Sequence, residues 1–360
     1  MVKSKKLKVF VAMSGGVDSS VAAALLKKAG YDVTGVFIKI WAPELSACDW
    51  REERRDAMRV AARIGVPLLT FDLSADYKKL VIDYLLKEYR AGRTPNPDVM
   101  CNKEIKFGIF YREALKRGAD YIATGHYAQN QLLGSSFQLL ASADKAKDQT
   151  YFLWTLTSEI LTKTLFPIGK YKKPKVRKLA TKFGLVNAEK PDSQGLCFLG
   201  KINFKDFLEQ YLPKKKGKVL DEMGKEIGEH NGAYFYTIGE RHGFRVTAQT
   251  PNAAPLYIIA KDIKKNILVV SAQPVASQSA RREIMLNSVN WISGASPASN
   301  KIIKARIRYR APLVACRVEN LTGHRARVTF TKPLFGATPG QSCVFFDSLG
   351  LTCLGGGVIT

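Results

Sequence analysis

The sequence predicts an α/β protein with a Rossmann-like parallel sheet, followed by a small central domain and a C-terminal β-barrel. Three observations support this fold class. Apolar strand-like segments alternate with helical segments over about the first 125 residues, which is the pattern of a parallel sheet covered on both faces. A glycine-containing turn follows the first strand, where open sheets bind ligands. From about residue 281, short alternating segments recur with turns between them, as in an all-β barrel.

The alternation predicts the elements of the first domain in order. Strands are expected at 8–13, 33–40, 67–72 and 121–124, and helices at 21–28, 52–64, 76–90 and 107–117. A turn at 14–20 separates the first strand from the first helix, and a loop rich in Pro and Asn covers 94–102. Barrel strands are expected at 302–309, 315–319 and 325–330. We therefore predict three domains, at 1–203, 204–280 and 281–360.

The charge of the chain indicates a polyanionic partner. There are 56 Lys and Arg residues against 31 Asp and Glu residues, a net charge of +25. Such an excess favours phosphate-rich partners, although an evenly basic proteome produces the same total. Nine basic residues and one acidic residue, Glu319, lie between Lys301 and Lys332, so part of the charge is concentrated in the predicted barrel.

Other sequence features argue against membrane, secreted and zinc-binding proteins. No stretch reaches about 18 consecutive apolar residues, and the amino terminus runs into the first strand without a cleavage site. Six cysteines stand at positions 48, 101, 197, 316, 343 and 353 with no Cys-x-x-Cys pair, which argues against a zinc site and a disulfide framework. We expect a cytoplasmic protein without a structural metal. Because no coiled-coil heptads occur, we also expect a monomer.

The turn Ser14-Gly15-Gly16-Val17-Asp18-Ser19-Ser20 is the first candidate site. Between a strand and a helix, consecutive backbone N–H groups and the positive end of the helix dipole can hold a polyphosphate. Neither the Walker pattern nor the G-x-G-x-x-G fingerprint occurs in the chain. Taken alone, the turn is equally compatible with an ordinary strand-to-helix connection.

The motif Ser-Gly-Gly-x-Asp-Ser directly after a buried strand resembles the pyrophosphatase loop of the N-type ATP pyrophosphatases. Members of that family adenylate a substrate and release pyrophosphate. The resemblance implies an ATP site that comprises Ala12, Met13, Ser14, Gly15, Gly16, Val17, Asp18, Ser19, Ile38 and Gly125. Asp18 is a candidate ligand for Mg²⁺, which would offset charge on the polyphosphate.

Two cysteine segments resemble those of the bacterial tRNA 2-thiouridylase family: 94–103, which contains Cys101, and 190–198, which contains Cys197. Five further segments match the family in order, at 123–127, 147–153, 230–233, 236–239 and 338–342. The likeness therefore covers nearly the whole chain. It departs from the family pattern before Cys197, where Gly195-Leu196 replace the more usual acidic residue and Ile.

This resemblance implies ATP-dependent 2-thiolation of the wobble uridine, U34, in the tRNAs for Glu, Gln and Lys. Adenylation of the uracil C2 oxygen would precede sulfur transfer from a cysteine persulfide, which a cysteine desulfurase or sulfur-relay carrier would supply. Cys197 is the implied persulfide carrier and Cys101 the nucleophile, and a Cys101–Cys197 disulfide would result. We expect Cys101 in a loop, where Lys103 and Lys106 can lower the pKa of its thiol.

The same resemblance implies contacts with RNA. Asn96, Pro97 and Asp98 match the segment that contacts the target base, and Asp98 is either a general acid or base or the cap of a turn. The implied tRNA-contacting residues are His126, Lys147, Asp148, Gln149, Arg308, Tyr309 and Gln341. In the barrel, basic residues at period two would form one stripe on a regular strand: Lys304, Arg306, Arg308 and Arg310.

Two other functions are compatible with parts of the sequence. An amidating synthetase of the same superfamily would turn over ATP without RNA and without Cys101 or Cys197. A non-catalytic RNA-binding protein would bind RNA but release no pyrophosphate, and the intact Ser-Gly-Gly-x-Asp-Ser motif argues against it.

Overall fold

A computed structural model describes residues 6–43, 50–192, 203–247, 254–273 and 281–360. The first strands are β1 (Lys8–Ala12), β2 (Asp32–Lys39), β3 (Leu68–Asp72), β4 (Tyr121–Ala123), β5 (Ala128–Leu133), β6 (Ser136–Ala141) and β7 (Thr164–Leu165). Five of them form a parallel sheet in the order β3-β2-β1-β4-β7. The order reverses between β1 and β4. The carboxyl ends of these two strands therefore form the crevice where open α/β sheets bind ligands.

Helices cover both faces of this sheet. They are α1 (Val17–Lys28), α2 (Trp50–Ile64), α3 (Ser74–Tyr77), α4 (Asp83–Arg90), α5 (Pro97–Met100), α6 (Tyr111–Lys116), α7 (Ser158–Thr162) and α8 (Lys173–Lys182), with π-helical segments at Lys78–Ile82 and Cys101–Phe110. Alternate residues of β1 pack into hydrophobic cores on opposite faces of the sheet. Val9 and Val11 pack with α1, α2 and α8, whereas Phe10 packs with the helices of the other face. The predicted α/β fold is confirmed.

Helix α1 begins at Val17, earlier than the predicted position 21. Gly16 is its extended N-cap residue, and the hydroxyls of Ser19 and Ser20 donate to the Gly16 carbonyl at 3.1 and 2.8 Å. Serine hydroxyls can bond to backbone carbonyls within the first turn of a helix. The pair Ser19-Ser20 therefore belongs to the start of α1 and does not extend the preceding turn. The turn itself is confined to residues 14–16.

The segment 94–102 is not the predicted loop, because it is helical from Pro97 onward. The Asn96 side-chain oxygen accepts from the backbone N–H groups of Asp98 (3.1 Å) and Val99 (3.3 Å). Pro97 occupies the first turn, where its missing N–H leaves no partner unsatisfied. Helices α5, Cys101–Phe110 and α6 follow one another without a break. Cys101 thus lies at the start of a π-helix, and its expected loop position is wrong.

The central part of the chain is a small β domain. It contains α9 (Phe204–Tyr211), β8 (Gly217–Leu220), β9 (Glu226–His230), β10 (Arg245–Val246), β11 (Tyr257–Asp262) and β12 (Ile267–Ser271). The sheet order is β10-β9-β8-β12-β11, and β8 and β12 form its parallel pair. Side chains of this domain, such as Phe207 and Tyr236, belong to the same buried cluster as Phe10 of β1.

The C-terminal strands form the predicted barrel. They are β13 (Arg281–Trp291), β14 (Ile303–Arg306), β15 (Val314–Leu321), β16 (Arg325–Leu334), β17 (Ser342–Phe346) and β18 (Thr352–Ile359). The order β13-β16-β15-β14-β17-β18 closes through pairing of β18 with β13. The hairpin β5–β6 of the first domain adds to β18 through the pairs Thr352↔Leu140 and Cys353↔Leu139. The barrel and the first domain therefore share backbone hydrogen bonds.

Thr94 connects all three parts of the chain just before α5. Its N–H donates to the Pro339 carbonyl of the barrel at 2.9 Å. Its hydroxyl lies 3.2 Å from that of Thr237 in the central domain. The entry to the Cys101 helix is thus fixed by both β domains. Within the described ranges, no helix has the length and apolar character that a membrane span needs.

Candidate functional site

The phosphate turn lies in the crevice between β1 and β4 and is built around two glycines. Gly15 has φ +76°, and a Cβ there would stand 2.4 Å from the backbone oxygen of Glu53. A Cβ on Gly125, directly after β4, would stand 2.6 Å from the backbone nitrogen of Ser19. Because only glycine fits at these positions, the turn, the start of α2 and the end of β4 meet at backbone contact.

Asn187 fixes the phosphate turn through side-chain hydrogen bonds, and this role was not predicted from the sequence. Its Nδ2 donates to the Gly15 carbonyl and to the Ser20 hydroxyl, both at 2.9 Å. Ser14 N–H donates to the Ser19 hydroxyl at 3.2 Å. These bonds fix the turn while the first N–H groups of α1 keep no intrahelical partner, which is the arrangement that binds anions.

Asp18 belongs to an ion-pair cluster that was also missed. Lys173 Nζ lies 2.8 and 2.9 Å from the two Asp18 carboxylate oxygens and 2.7 Å from Asp192 Oδ1. Tyr127 donates its hydroxyl to Asp18 at 2.9 Å, and Lys147 pairs with Asp192 at 2.8 Å. Burial raises the pKa of Asp192, but the hydrogen bonds and charges of Lys147 and Lys173 prevail and hold it at about 2. Both carboxylates are therefore counterbalanced by ammonium groups beside the turn.

A magnesium ion fits here only together with bound phosphates. Among the residues that the structure describes, no three His, Cys, Asp or Glu side chains converge in a way that could hold a metal ion. Mg²⁺ commonly uses one or two carboxylates together with substrate phosphate oxygens and water. Asp18 can supply one such carboxylate next to the turn.

One cavity of about 680 Å³ joins the turn to the Cys101 helix. The predicted site residues that line it are Ala12, Met13, Ser14, Gly16, Val17, Asp18, Ser19, Ile38, Cys101, Gly125, His126, Lys147, Gln149 and Tyr309. The structure thus brings the predicted phosphate turn and one predicted reactive cysteine into a single space. The other, Cys197, lies outside the described residues.

At the Cys101 end, ionisable groups are buried. The Cys101 side chain is largely inaccessible, and the buried His126 ring places Nδ1 2.8 Å from the Thr124 hydroxyl. Burial, followed by the nearby Lys106 charge, lowers the pKa of His126 well below its usual value, so the ring is neutral at physiological pH. Burial raises the pKa of Asp98, and the Lys106 charge opposes that rise.

Some predicted contact residues lie elsewhere or are engaged within the protein. Asn96 lines a second groove between α5 and the barrel, together with Lys103 and Arg325. Asp148 is buried and accepts from the Ser142 N–H (2.9 Å) and the Thr150 hydroxyl (2.7 Å).

Two barrel residues predicted to contact tRNA also have protein partners. Gln341 Nε2 donates to the Thr94 carbonyl at 2.7 Å, which ties the barrel to the entry of the Cys101 helix. The Arg308 guanidinium donates to the Thr338 hydroxyl at 3.1 Å.

The predicted basic stripe of the barrel does not form on one regular strand. Strand β14 ends at Arg306, whose guanidinium packs over the Phe346 ring at 5.2 Å. Arg310 has φ +63°, so the backbone turns there and leaves the alternation of a strand. This turn instead presents Tyr309 to the cavity, where its ring centroid lies 4.5 Å from that of Phe152. Aromatic rings in this setting can stack an unpaired base.

Comparison with known proteins extends over the full chain. Three family models match in succession: a tRNA methyl transferase HUP domain over 7–201, a tRNA methyl transferase PRC-barrel domain over 205–272, and an aminomethyltransferase β-barrel domain over 281–359. The tRNA-specific 2-thiouridylase MnmA of Streptococcus mutans is 45% identical, covering 100% of this chain and 96% of the relative. Those of Idiomarina loihiensis and Nitrosomonas eutropha are 42% and 44% identical, covering 98% and 99% of this chain and 95% and 99% of the relatives.

The parallel sheet with its glycine turn at the switch point, joined to two β domains, defines a three-domain α/β protein whose first domain is of the HUP type. The full-length relatives then decide the family within this class. The chain belongs to the tRNA-specific 2-thiouridylase family, enzymes that modify tRNA by thiolation. The family models carry methyl-transfer descriptions, but identity above 40% over the whole chain outweighs a domain description. The predicted family and enzyme class are confirmed.

Proposed function

We propose that the chain catalyses ATP-dependent 2-thiolation of the wobble uridine, U34, of tRNA. The observation that carries this proposal is the single cavity with the phosphate turn at one end and Cys101 at the other. A reaction that joins nucleotide activation to sulfur chemistry needs both ends within reach of one base. The cavity supplies that arrangement, and its aromatic pair Phe152 and Tyr309 offers a stacking surface for the base.

ATP would bind with its pyrophosphate portion on the turn. The residues assigned to ATP are Ala12, Met13, Ser14, Gly15, Gly16, Val17, Asp18, Ser19, Ile38 and Gly125. Backbone N–H groups at the start of α1 would donate to the phosphates, and Lys173 would add a cation from the Asp18 cluster. Mg²⁺, with Asp18 as its protein ligand, would neutralise charge on the β- and γ-phosphates.

Adenylation would convert the C2 oxygen into a leaving group. The uracil O2 attacks the α-phosphorus, the bond to pyrophosphate breaks, and the N3 proton leaves. Asp98 is assigned as the base that accepts this proton, because burial raises its pKa towards the range where a carboxylate is an effective proton acceptor. The products of this step are pyrophosphate and a base carrying AMP on O2.

Sulfur transfer would then replace the oxygen. A persulfide on Cys197 supplies sulfur to C2, either by direct attack or after Cys101 releases it as hydrosulfide, and the C2–O bond breaks as AMP leaves. In both routes the Cys101 thiolate forms a bond to Cys197 Sγ, and the S–S bond of the persulfide breaks. Each turnover leaves 2-thiouridine and a Cys101–Cys197 disulfide, which a thiol reductant returns to the dithiol form.

The RNA would contact both this cavity and the second groove beside α5, which Asn96 lines. We assign the target base to Asn96, Pro97 and Asp98, and tRNA contacts to His126, Lys147, Asp148, Gln149, Arg308, Tyr309 and Gln341. The net charge of +25 supports a polyanionic substrate. The proposed substrates are the tRNAs for Glu, Gln and Lys. The proposed sulfur donor is a cysteine desulfurase or relay carrier in the cytoplasm, and the enzyme would act as a monomer with domains at 1–203, 204–280 and 281–360.

The decisive assay supplies unmodified tRNA-Glu transcript, Mg-ATP, a persulfide source and a thiol reductant. Thiouridine is measured by mass spectrometry and released pyrophosphate by a coupled assay. Wild type and the control Cys48→Ser should form thiouridine, while Cys197→Ser should form none yet still release pyrophosphate when tRNA is present. If the wild type forms no thiouridine and releases pyrophosphate at the same rate with and without tRNA, the result would instead support an amidating synthetase.

A further inference from the structure

Among the residues that the structure describes, four Lys or Arg side chains line the cavity, and one of them lacks a direct partner. Lys147 pairs with Asp192 and Lys190 with Asp56, each at 2.8 Å. The guanidinium of Arg310 donates to the Ala146 carbonyl at 3.2 Å on the exposed rim. Lys106 has neither an ion pair nor a hydrogen bond with any residue in the described part of the chain. A half-buried ammonium without a direct ion pair in a cavity is a natural site for an anion.

The π-helix explains why Lys106 faces this cavity. In a π-helix each N–H bonds to the carbonyl five residues earlier, so residues five apart lie on the same face of the helix. Cys101 and Lys106 are five apart in the π-helix Cys101–Phe110, and both line the cavity with Ile105. Lys103 does not share this face. It lines the second groove and pairs with Glu104 at 3.1 Å.

The ammonium of Lys106 shares the cavity with the phosphate turn and the reactive cysteine. Its charge opposes the rise that burial causes in the pKa of Asp98, and it adds to the fall that burial causes in the pKa of His126. His126 follows Gly125, whose Cα is packed against the backbone of Ser19 in the phosphate turn. Lys106 therefore faces the cavity that contains the place proposed for pyrophosphate, and its charge reaches Asp98 of the segment proposed to contact the target base.

We propose that Lys106 binds the α-phosphate of ATP and, after adenylation, the phosphate that links AMP to the uracil. This assignment rests on the proposed function. When the β- and γ-phosphates occupy the turn, in-line attack by the uracil oxygen requires the α-phosphorus to lie farther into the cavity that Lys106 lines. A compact ammonium with three donors can follow the phosphate as its bond to pyrophosphate breaks, and it stabilises AMP as the leaving group.

Binding of AMP and adenosine tests the assignment without the full reaction. Isothermal titration calorimetry is carried out with pyrophosphate at saturation, so that the turn is occupied, on wild type, Lys106→Met, Lys106→Arg and Lys103→Met. AMP should bind wild type more tightly than adenosine does. Lys106→Met should reduce this preference about tenfold or more, because a charge-assisted phosphate contact is lost. Its adenosine affinity should not change, Lys106→Arg should keep most of the preference, and Lys103→Met should match wild type.

The outcomes separate two failures. A Lys106→Met protein with the wild-type preference for AMP, and wild-type affinity for both ligands, overturns the assignment of Lys106 alone. Wild-type protein that binds neither AMP nor adenosine overturns the proposed ATP site, and the assignment falls with it. An equal loss of adenosine and AMP binding in Lys106→Met would show a structural role for Lys106 and would also overturn the assignment.

Discussion

Substitution of Gly125 by alanine should separate the geometry of the phosphate turn from the stability of the fold. The new Cβ would stand 2.6 Å from the Ser19 nitrogen and 2.8 Å from the Ser19 Cα, both backbone atoms. An ordinary contact begins at 3.4 Å, so the strand end and the start of α1 must separate by up to 0.8 Å. Overpacking of this kind costs about 1–3 kcal/mol. A displacement near 1 Å at a reacting centre costs roughly a hundredfold in rate.

The expected result for Gly125→Ala is a fall in kcat/KM for thiolation of about tenfold to a hundredfold, with a folded protein by circular dichroism. Gly118→Ala is the matched control, because Gly118 lies before the other end of β4, has φ +82° and has open space around its Cα. The control should lose about 1–2 kcal/mol from its left-handed backbone and keep wild-type kcat/KM. Equal kcat/KM for the two variants would refute the claim that Gly125 positions the turn.

Three further predictions concern stability, each measured by urea unfolding. Tyr151→Phe removes the hydroxyl that donates to the buried Ser342 carbonyl at 2.9 Å, so it should lose about 1–2 kcal/mol; a loss near zero would mean that water replaces the bond. Asp192 has a pKa of about 2 in the folded protein and a higher one when unfolded, so its ion pairs stabilise above about pH 4 and cease to do so as pH falls towards 2. Asp192→Asn should therefore lose about 1 kcal/mol at pH 7, allowing for partial solvent screening, and less at pH 3; a pH-independent loss would contradict this. Burial lowers the pKa of Lys261 to about 8, against 10.5 when unfolded. Between these two pH values the unfolded state binds more protons, so this residue should make the free energy of unfolding of the wild type increase with pH. Lys261→Met should lack this increase.

The phosphate turn was predictable because its determinants are local. A buried strand, two glycines and the start of a helix follow one another within residues 8–20. Lys173 was not predictable in the same way. It meets Asp18 across 155 positions in the sequence, and α8 resembles an ordinary basic surface helix until that contact is seen.

The Cys101 segment shows where local composition is ambiguous. Pro and Asn mark loops, but they also mark a helix start when the Asn side chain caps the first turn, as Asn96 does. Composition likewise cannot distinguish a π-helix from an α-helix, so the shared face of Cys101 and Lys106 was not visible in the sequence. The attachment of the hairpin β5–β6 to the barrel was not predictable, because its partner strand, β18, lies about 200 residues later.

The prediction of a basic stripe on the barrel was wrong for a different reason. Period-two spacing of basic residues predicts one face only while the strand stays regular, and β14 ends at Arg306. The backbone turns beyond it, and Tyr309 and Arg310 both line the cavity.

Oxygen-18 placed at the C2 carbonyl of U34 tests the central claim most directly. In the proposed adenylation the uracil oxygen would become bonded to the α-phosphorus and would depart with AMP when sulfur replaces it. The account predicts that single-turnover thiolation yields one oxygen-18 atom in AMP for each thiouridine formed, as measured by mass spectrometry. Label found in water or pyrophosphate, with unlabelled AMP, would contradict activation of the C2 oxygen by ATP.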